Sequence, residues 1–262
     1  MNKNSNKTVL ITGASSGIGY EMSNIFAKNG YNLILVARRE NILNEMKEKF
    51  LKSYGVHTVV IQKDLAQPEA SRQVYEEVKK MNINVDILIN NAGIGNCGLF
   101  HEIDLKKHID TIQVNITSLT ELTRLIAEDM VKRKSGKILN VASTGAYQPG
   151  PLISVYYAAK AYVLSFSEAI CNELKPYNIT VTALCPGATK TEFGKNAGKG
   201  NLKNAMDPKK VAKAAYYGLM KGKRVVIPGT LNKLSVFFSK IMPRRILTNI
   251  VRGIQSKAIK IK

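Results

Sequence analysis

The stretch Thr12-Gly13-Ala14-Ser15-Ser16-Gly17-Ile18-Gly19 decides the fold class, because it connects an apolar run typical of a strand to an amphipathic helical pattern. Glycines allow the backbone to approach a pyrophosphate without a Cβ clash, and a helix that begins near Ile18 points its unpaired N–H groups at that anion. Such a turn, at the start of a chain that alternates strands and helices, indicates a dinucleotide site. An ordinary tight turn is the alternative interpretation.

Short apolar runs alternate with helical patterns along the rest of the chain. Strands are predicted at 8–12, 32–37, 58–62, 85–89, 137–141, 179–184 and 224–227, and helices at 18–28, 41–53, 68–81, 105–132, 155–174 and 211–220. Strands separated by helices imply right-handed crossovers and a parallel sheet covered on both faces. We therefore predict a single-domain α/β Rossmann fold, with a doubly wound seven-stranded parallel sheet that binds ligands at the carboxyl ends of its strands.

The net charge of +20 is unevenly distributed along the 262 residues. Asp207 is the last acidic residue, and 14 of the 39 lysines and arginines follow it. Thirty lysines against nine arginines, without helix-turn-helix, RNP or zinc-ligand spacing, argue against a nucleic-acid partner. The chain has no apolar run of about 18 residues that would predict a spanning helix, and its polar first residues predict no export signal. We therefore expect a cytoplasmic protein.

The segment 231–262 combines basic side chains with two apolar stripes at helical spacing. The stripes comprise Leu234, Phe237, Phe238 and Ile241 before Pro243, and Ile246, Leu247, Ile250, Val251 and Ile254 after it. We predict that residues 1–230 form the dinucleotide-binding and catalytic domain and that 231–262 form a basic amphipathic extension packed on it. Packing over the pocket or across a subunit contact is favoured over the alternative, contact with an anionic membrane.

Tyr156 and Lys160 lie four residues apart in a predicted helix, so their side chains share one face. A lysine ammonium about 4 Å from a phenol stabilises the phenolate by up to ~4 kcal/mol at an effective dielectric constant of about 20, which predicts a tyrosine with a lowered pKa. Ser143 follows the fifth strand, where its hydroxyl can donate to a substrate carbonyl oxygen, and Thr144 is the alternative hydroxyl. A chance helical Tyr and Lys pair is the alternative to this catalytic interpretation.

The end of the second strand bears on the choice of cofactor. A carboxylate there would bond the ribose 2′-hydroxyl of NAD, but Ala37 occupies the position and Arg38 and Arg39 follow it. Guanidinium groups suit a 2′-phosphate, so we predict NADP(H) rather than NAD(H). Glu40 could turn back to the ribose, although its position suits a first-turn helix carboxylate better. A solvated start of a helix is the alternative reading of the two arginines.

Six motifs, in this order, resemble the short-chain dehydrogenase/reductase family over about residues 8–229. They are the turn at 12–19, Asn90-Asn91-Ala92-Gly93, Asn115, Ser143, Tyr156-x-x-x-Lys160 and Pro186-Gly187. The resemblance implies that Asn115 holds a water linking Lys160 to solvent. It also implies that the Asp of the Asp64-Leu65 position contacts the adenine amino group and that Asn90 and Gly93 border the adenine. By the same resemblance, the Thr191 hydroxyl reaches the carboxamide or the pyrophosphate, and backbone groups at Thr189 meet the carboxamide.

Residue pattern and resemblance together predict two sets of site residues. The catalytic set comprises Asn115, Ser143, Tyr156 and Lys160. The cofactor-binding set comprises Gly13, Ser15, Ser16, Gly17, Ile18, Gly19, Arg38, Arg39, Asp64, Leu65, Asn91, Ala92, Gly93, Tyr156, Lys160, Pro186, Gly187, Thr189 and Thr191. No metal is expected.

These residues predict an NADP(H)-dependent oxidoreductase that transfers a hydride between the nicotinamide and a carbonyl or alcohol substrate, with Tyr156 as the acid and base. The alternative is a catalytically weak NADP(H)-binding sensor or scaffold with a membrane- or partner-binding tail. The family resemblance also leads us to expect a homodimer or homotetramer.

Three segments should line the substrate pocket by position, namely 94–99, 145–153 and 188–206. Their apolar side chains favour an apolar substrate, namely Leu152, Ile153 and Phe193. The lysines of the third segment would instead tolerate an acidic substrate, namely Lys190, Lys195, Lys199 and Lys203. The sequence does not decide between the two.

Overall fold

Seven strands form one sheet in the computed structural model, which describes residue 4 and residues 6–198 and 205–259. The strands are β1 (Thr8–Thr12), β2 (Asn32–Ala37), β3 (Thr58–Gln62), β4 (Ile87–Asn90), β5 (Gly136–Val141), β6 (Ile179–Leu184) and β7 (Val225–Val226). All neighbouring strands pair in parallel, in the order β3-β2-β1-β4-β5-β6-β7. The strand order reverses between β1 and β4, and ligands of such sheets bind in the crevice at that point.

Ten α-helices lie within the described ranges. They are α1 (Gly17–Lys28), α2 (Glu40–Tyr54), α3 (Ala70–Lys80), α4 (Leu105–Ile112), α5 (Ser118–Lys132), α6 (Ser154–Leu174), α7 (Glu192–Asn196), α8 (Pro208–Met220), α9 (Thr230–Ile241) and α10 (Arg244–Ile259). A π-helical turn, Gln113–Thr117, joins α4 to α5, and 3-10 turns cover Thr144–Tyr147 and Lys175–Tyr177.

Residues of β1 show how the sheet buries both of its faces. Val9 and Ile11 pack into one apolar cluster with side chains of α1, α2 and α8, whereas Leu10 packs into a second cluster with α3 and α5. All three are fully buried. Successive side chains of a strand point to opposite faces, so an uninterrupted apolar strand requires helices on both sides.

The predicted doubly wound Rossmann fold is confirmed, with corrections at element ends. The predicted helix 68–81 begins at Ala70 because Glu69 has a left-handed backbone, with φ of 60°. The predicted strand 85–89 begins at Ile87, since the Val85 carbonyl accepts a hydrogen bond from the guanidinium of Arg133. The last strand is two residues long, and the predicted helix 105–132 contains the π turn.

The two C-terminal helices pack against the domain with their inner faces only. Val236 and Ser239 of α9 are buried, and the Ser239 hydroxyl donates to Gln148 Oε1 over 2.8 Å. In α10, Gln255 is buried and its Nε2 donates to the Tyr157 hydroxyl over 2.9 Å. No helix in the described part of the chain is long and apolar enough to span a bilayer.

The predicted apolar stripes do not all face the domain. Of the first stripe, Leu234, Phe237, Phe238 and Ile241 are all exposed, by 47–63%. The second stripe divides, because Leu247 and Val251 are buried while Ile246, Ile250 and Ile254 are exposed. Helical spacing alone identified the apolar residues but not which of them meet the domain.

Candidate active site

The turn between β1 and α1 is held by a side chain from the end of β4. Asn91 Nδ2 donates to the Thr12 carbonyl over 2.9 Å and to the Gly13 carbonyl over 3.1 Å. The Thr12 hydroxyl in turn accepts from the backbone N–H groups of Asn91 and Ala92, each over 3.0 Å. Sequence analysis did not include Thr12 among the site residues, although its position as the last residue of β1 could have indicated a role in holding the turn.

Two glycines of this turn have no room for a side chain. A Cβ on Gly19 would lie 2.4 Å from the Gly13 carbonyl oxygen and 2.5 Å from Asn91 Nδ2. Gly13 has φ of 64°, and a Cβ there would lie 2.9 Å from Ala92 Cα. The predicted residues therefore form a close-packed backbone cradle, as a pyrophosphate requires.

The amino end of α1 faces this cradle. Ser16 precedes the helix, and its side chain makes no capping hydrogen bond to it. Gly17 approaches the methyl group of Thr191, which would lie 2.7 Å from a Gly17 Cβ. Ile18, by contrast, packs against the apolar cluster below the turn. The predicted residues Ser16, Gly17 and Thr191 thus meet at one helix end, where N–H groups attract an anion.

Arg39 reaches back from the end of β2 to the turn. Its Nη2 donates to the Ser15 carbonyl over 3.1 Å and to the Ser15 hydroxyl over 3.2 Å. The same guanidinium pairs with the carboxylate of Glu192 in α7 over 2.9 Å. This contact with Arg39 holds the pKa of Glu192 below its usual range. Sequence analysis missed Glu192, because no local pattern connects α7 to β2.

The other residues at the end of β2 lie as the spacing predicted. Ala37 ends the strand, and Arg38 is exposed beside it. Glu40 is the first residue of α2 and the acidic residue of its first turn. Arg39 therefore contacts the turn, Arg38 is exposed to solvent, and β2 ends without a carboxylate.

The residues expected near the adenine lie at different depths in the protein. Asp64 Oδ1 accepts from the backbone N–H of Ala66 over 3.1 Å, and Leu65 is buried. Asn90 is a correction, because its Nδ2 donates to Thr123 Oγ1 and Asn140 Oδ1 over 2.8 and 2.9 Å within the core. Its side chain supports the sheet and does not border the cofactor crevice.

Tyr156, Lys160 and Ser143 come together at the carboxyl end of β5. Lys160 Nζ donates to the Val141 carbonyl over 2.7 Å and lies 5.6 Å from the centre of the Tyr156 ring. Tyr156 is hydrogen-bonded to Ser143. The Ser143 hydroxyl also accepts from the Gly145 N–H over 3.0 Å, so its own proton can be donated. The structure thus groups three of the four predicted catalytic residues.

The expected lowering of the Tyr156 pKa is wrong for this arrangement. Burial raises the pKa of Tyr156, and the hydrogen bond with Ser143 opposes that shift only in part. Burial also lowers the pKa of Lys160 to about 8. Desolvation disfavours both the phenolate and the ammonium, and it outweighs the attraction on which the expectation was built.

Asn115, the fourth predicted catalytic residue, lies in the π turn and is fully buried. Its Nδ2 donates to the carbonyls of Ile94 and Thr111, each over 2.8 Å. Its Oδ1 has no hydrogen-bond partner and lies 2.9 Å from where a Gly93 Cβ would be. Lys160 Nζ lies 3.3 Å from the same point, so the amide oxygen and the ammonium flank one small space.

The three predicted pocket segments contact one another around Tyr156. The Gly98 N–H donates to the Leu152 carbonyl over 2.9 Å, and the Cys97 N–H donates to the Ala197 carbonyl over 3.0 Å. The Phe193 ring lies 4.9 Å from the Tyr156 ring, centre to centre. The predicted Lys199 and Lys203 lie outside the described residues.

The loop after β6 closes the other side of the crevice. The Pro186 carbonyl accepts from the Thr144 N–H over 2.9 Å, and the Thr189 hydroxyl donates to the Gly187 carbonyl over 2.9 Å. A Cβ on Gly187 would lie 2.3 Å from Asn232 Oδ1 of α9. A separate cleft of about 610 Å³ lies between β7, α8 and α9, and none of the predicted site residues lines it.

The parallel sheet, with its strand order reversing beside the glycine-rich turn, places the chain in the Rossmann class of folds. Residues 7–202 match the family model described as short chain dehydrogenase. The chain belongs to this short-chain dehydrogenase/reductase family.

Three known proteins illustrate what the chain is similar to. It is 36% identical over 178 residues to the very-long-chain 3-oxoacyl-CoA reductase of Phaeosphaeria nodorum, covering 66% of this chain and 52% of that protein. It is 29% identical over 212 residues to the NAD-dependent glycerol dehydrogenase of Listeria innocua, covering 81% of each. A short-chain dehydrogenase from Sphingobium yanoikuyae in complex with NADPH superposes with a TM-score of 0.82, at 32% identity and 95% coverage of both chains. The chain thus spans about half the length of the first of these relatives.

Proposed function

We propose that this protein is an NADP(H)-dependent reductase of carbonyl compounds, or the corresponding alcohol dehydrogenase, with Tyr156 as the acid and base. The observation that carries the proposal is the grouping of Tyr156 with Ser143 and Lys160 beside the glycine cradle. A protein that only bound a nucleotide would not need a phenol paired with a serine hydroxyl next to a buried ammonium.

NADP(H) fits this site better than NAD(H) does. The cradle, the amino end of α1 and Thr191 would hold the pyrophosphate, and Arg39 with Ser15 would hold a 2′-phosphate. The Sphingobium structure contains NADPH, whereas the Listeria relative is named for NAD. Ala37 gives this chain no carboxylate at the end of β2 with which to select NAD.

Burial raises the pKa of Tyr156, so the phenol is protonated before the reaction but is a weaker acid than a free tyrosine. Proton donation in reduction therefore depends on stabilisation of the phenolate by Lys160. When bound, NADPH supplies the hydride for the carbonyl carbon. Ser143 donates a hydrogen bond that orients the carbonyl oxygen, and Tyr156 transfers its proton to that oxygen. The Lys160 ammonium then stabilises the phenolate left behind.

Asn115 and Lys160 complete the proton path in this proposal. The partnerless Asn115 Oδ1 accepts from a water that also contacts Lys160, and this water returns a proton toward Tyr156. The π turn supports this role, because such turns widen a helix locally and redirect one side chain. Asn115 acts here as a positioning residue.

The pocket favours a bulky apolar ketone or alcohol. Phe193 covers the Tyr156 ring, and Leu152 and Ile153, which directly precede the helix of Tyr156, are buried apolar residues. The Phaeosphaeria relative is named for a very-long-chain oxoacyl substrate, which is consistent with an apolar pocket. Lys190 and Lys195 are both exposed, so solvent satisfies them.

A homodimer or homotetramer in the cytoplasm is part of the proposal. Leu105, Ile109 and Ile112 form an exposed apolar row on α4, at the spacing of one helix face. Acidic and basic side chains are mixed on this helix, since Lys106 pairs with Asp110. A second copy can therefore pack there without charge repulsion. Light scattering during size-exclusion chromatography measures the state.

The deciding experiment follows NADPH absorbance with a panel of apolar and polar carbonyl compounds. The variant Tyr156→Phe keeps the ring that packs on Phe193 but lacks the proton, so turnover falls by about 10²–10⁴-fold while NADPH affinity changes little. Equal turnover by wild type and variant would refute the proposal. NADPH binding without turnover of any compound would instead favour the sensor or scaffold alternative.

A further inference from the structure

The outer face of α9 presents large apolar side chains to solvent. Leu231, Leu234, Phe237, Phe238 and Ile241 are 47–81% exposed, whereas Val236 and Ser239 are at most 9% exposed. At about 100° per residue, the five exposed side chains lie on the side of the helix opposite the two buried ones. The arrangement is therefore an amphipathic helix whose more apolar face points away from the protein.

α10 continues this pattern after Met242 and Pro243. Ile246, Ile250 and Ile254 form an exposed row along one flank of the helix. Eight of the 18 exposed large apolar residues in the described part of the chain thus lie between positions 231 and 254. Scattered exposed apolar residues are ordinary, but a concentration of this kind marks an interaction surface.

The charge around this surface indicates what covers it. Cationic side chains interrupt the apolar residues of α10, namely Arg244, Arg245, Arg252 and Lys257, and no acidic residue follows Asp207 in the sequence. Lys233 and Lys240 of α9 instead line the cleft beside β7, where Lys240 Nζ lies 5.2 Å from the centre of the Tyr147 ring. A second copy of the chain would bring the same cations to the contact without a carboxylate to pair them. An anionic surface with an apolar interior matches both features.

We propose that the outer faces of α9 and α10 bind an anionic lipid bilayer, with the apolar side chains in the acyl boundary and the cations at the headgroup phosphates. Gln255, on the inner face of α10, connects this surface to the pocket, because it bonds the Tyr157 hydroxyl and the Tyr157 ring packs against Gly145 and Gly150. The bilayer would lie against the helix that supports the pocket wall. Binding does not depend on the proposed reaction.

The test is sedimentation of the full chain, without cofactor, with phosphatidylcholine vesicles and with vesicles in which about one lipid in three is phosphatidylserine. We expect binding to the anionic vesicles and a loss on raising the salt concentration. Phe237→Ser/Ile241→Ser should weaken binding by about tenfold or more. Its control is Leu51→Ser/Tyr217→Ser, which removes two exposed apolar side chains on α2 and α8.

The contribution of charge to vesicle binding is tested with a second variant and its matched control. Arg245→Gln/Arg252→Gln should weaken binding to anionic vesicles by about tenfold or more, whereas Lys47→Gln/Lys52→Gln on α2, with the same loss of charge, should change it by less than about threefold. Equal losses in both pairs, or equal binding to both vesicle types, would overturn the proposal. So would a wild-type dimer that the Phe237→Ser/Ile241→Ser variant dissociates, since the face would then be a subunit contact.

Discussion

Glycine residues in the β1–α1 turn and in the C-terminal helices have opposite surroundings. At Gly19, a Cβ would collide with the Gly13 carbonyl and the Asn91 amide. A Cβ at Gly253 in α10 would meet no atom within 4 Å in the described part of the chain, apart from its own helix backbone and its chain neighbours. The space around the turn is filled by the chain itself, and the outer surface of α10 is open. From this difference we expect cofactor binding to depend on a closely fixed backbone, and the proposed role of the tail to depend on a surface outside the chain.

Substitution at Gly19 should have the largest effect in this comparison. In Gly19→Ala, the methyl group must displace Asn91 or the Gly13 peptide, so we expect a loss of about a hundredfold or more in NADPH affinity. Fluorescence titration measures it, and circular dichroism shows whether the variant is folded. An affinity within threefold of wild type would mean that the cradle does not hold the pyrophosphate.

The pH dependence of turnover distinguishes the buried lysine of the site from the exposed cations of the tail. Burial lowers the pKa of Lys160 to about 8, so its ammonium is present below that pH and is lost above it. Reduction should therefore be constant below about pH 8 and fall by about tenfold per pH unit above it. Lys160→Met should be slow at every pH and show no such break. A wild-type profile without a break near pH 8 would contradict the role given to Lys160.

Substitutions of Arg39 and Glu192 should have smaller effects, and they should change the NADPH affinity in opposite directions. Arg39→Ala removes the guanidinium that contacts Ser15, so NADPH affinity should fall by about 10–100-fold with little change for NADH. Glu192→Gln removes the carboxylate that competes with a 2′-phosphate, so NADPH should bind about two- to fivefold tighter. Equal effects on the two cofactors would show that Arg39 does not select between them.

The smallest effect is expected at Gly253. Gly253→Ala adds a methyl group where nothing lies within 4 Å and improves helix propensity, so stability should rise by about 0.5–1 kcal/mol without change in NADPH affinity. Denaturant unfolding measures the difference. A destabilised variant would show that α10 is packed more tightly on its outer side than its exposure indicates.

Sequence reasoning reached the sheet and the catalytic residues because both depend on local spacing. The alternation of apolar runs specifies parallel strands, and the separation of four positions between Tyr156 and Lys160 places them on one helix face. Asp64 and Thr191 could be located only because the family resemblance supplied their positions.

What sequence reasoning missed depends on contacts between distant segments. Glu192 meets Arg39 across 153 residues, and Gln255 meets Tyr157 across 98. The raised pKa of Tyr156 follows from how completely the surrounding segments enclose it, which spacing does not reveal. The orientation of the Leu234–Ile241 stripe was also missed, because an amphipathic pattern does not say which face meets the protein.

The π turn at Gln113–Thr117 has a consequence for how this protein can vary in length. One added residue in the turn shifts everything after it by about 100° relative to a regular helix. α4 starts at the Asp104 cap and α5 buries Leu122 and Ile126, so both ends of the segment are anchored. Deleting one residue from this turn would rotate the α5 side chains away from the sheet or turn the Asn115 amide out of the site. Length polymorphism should therefore be tolerated in the surrounding loops but not in this helix.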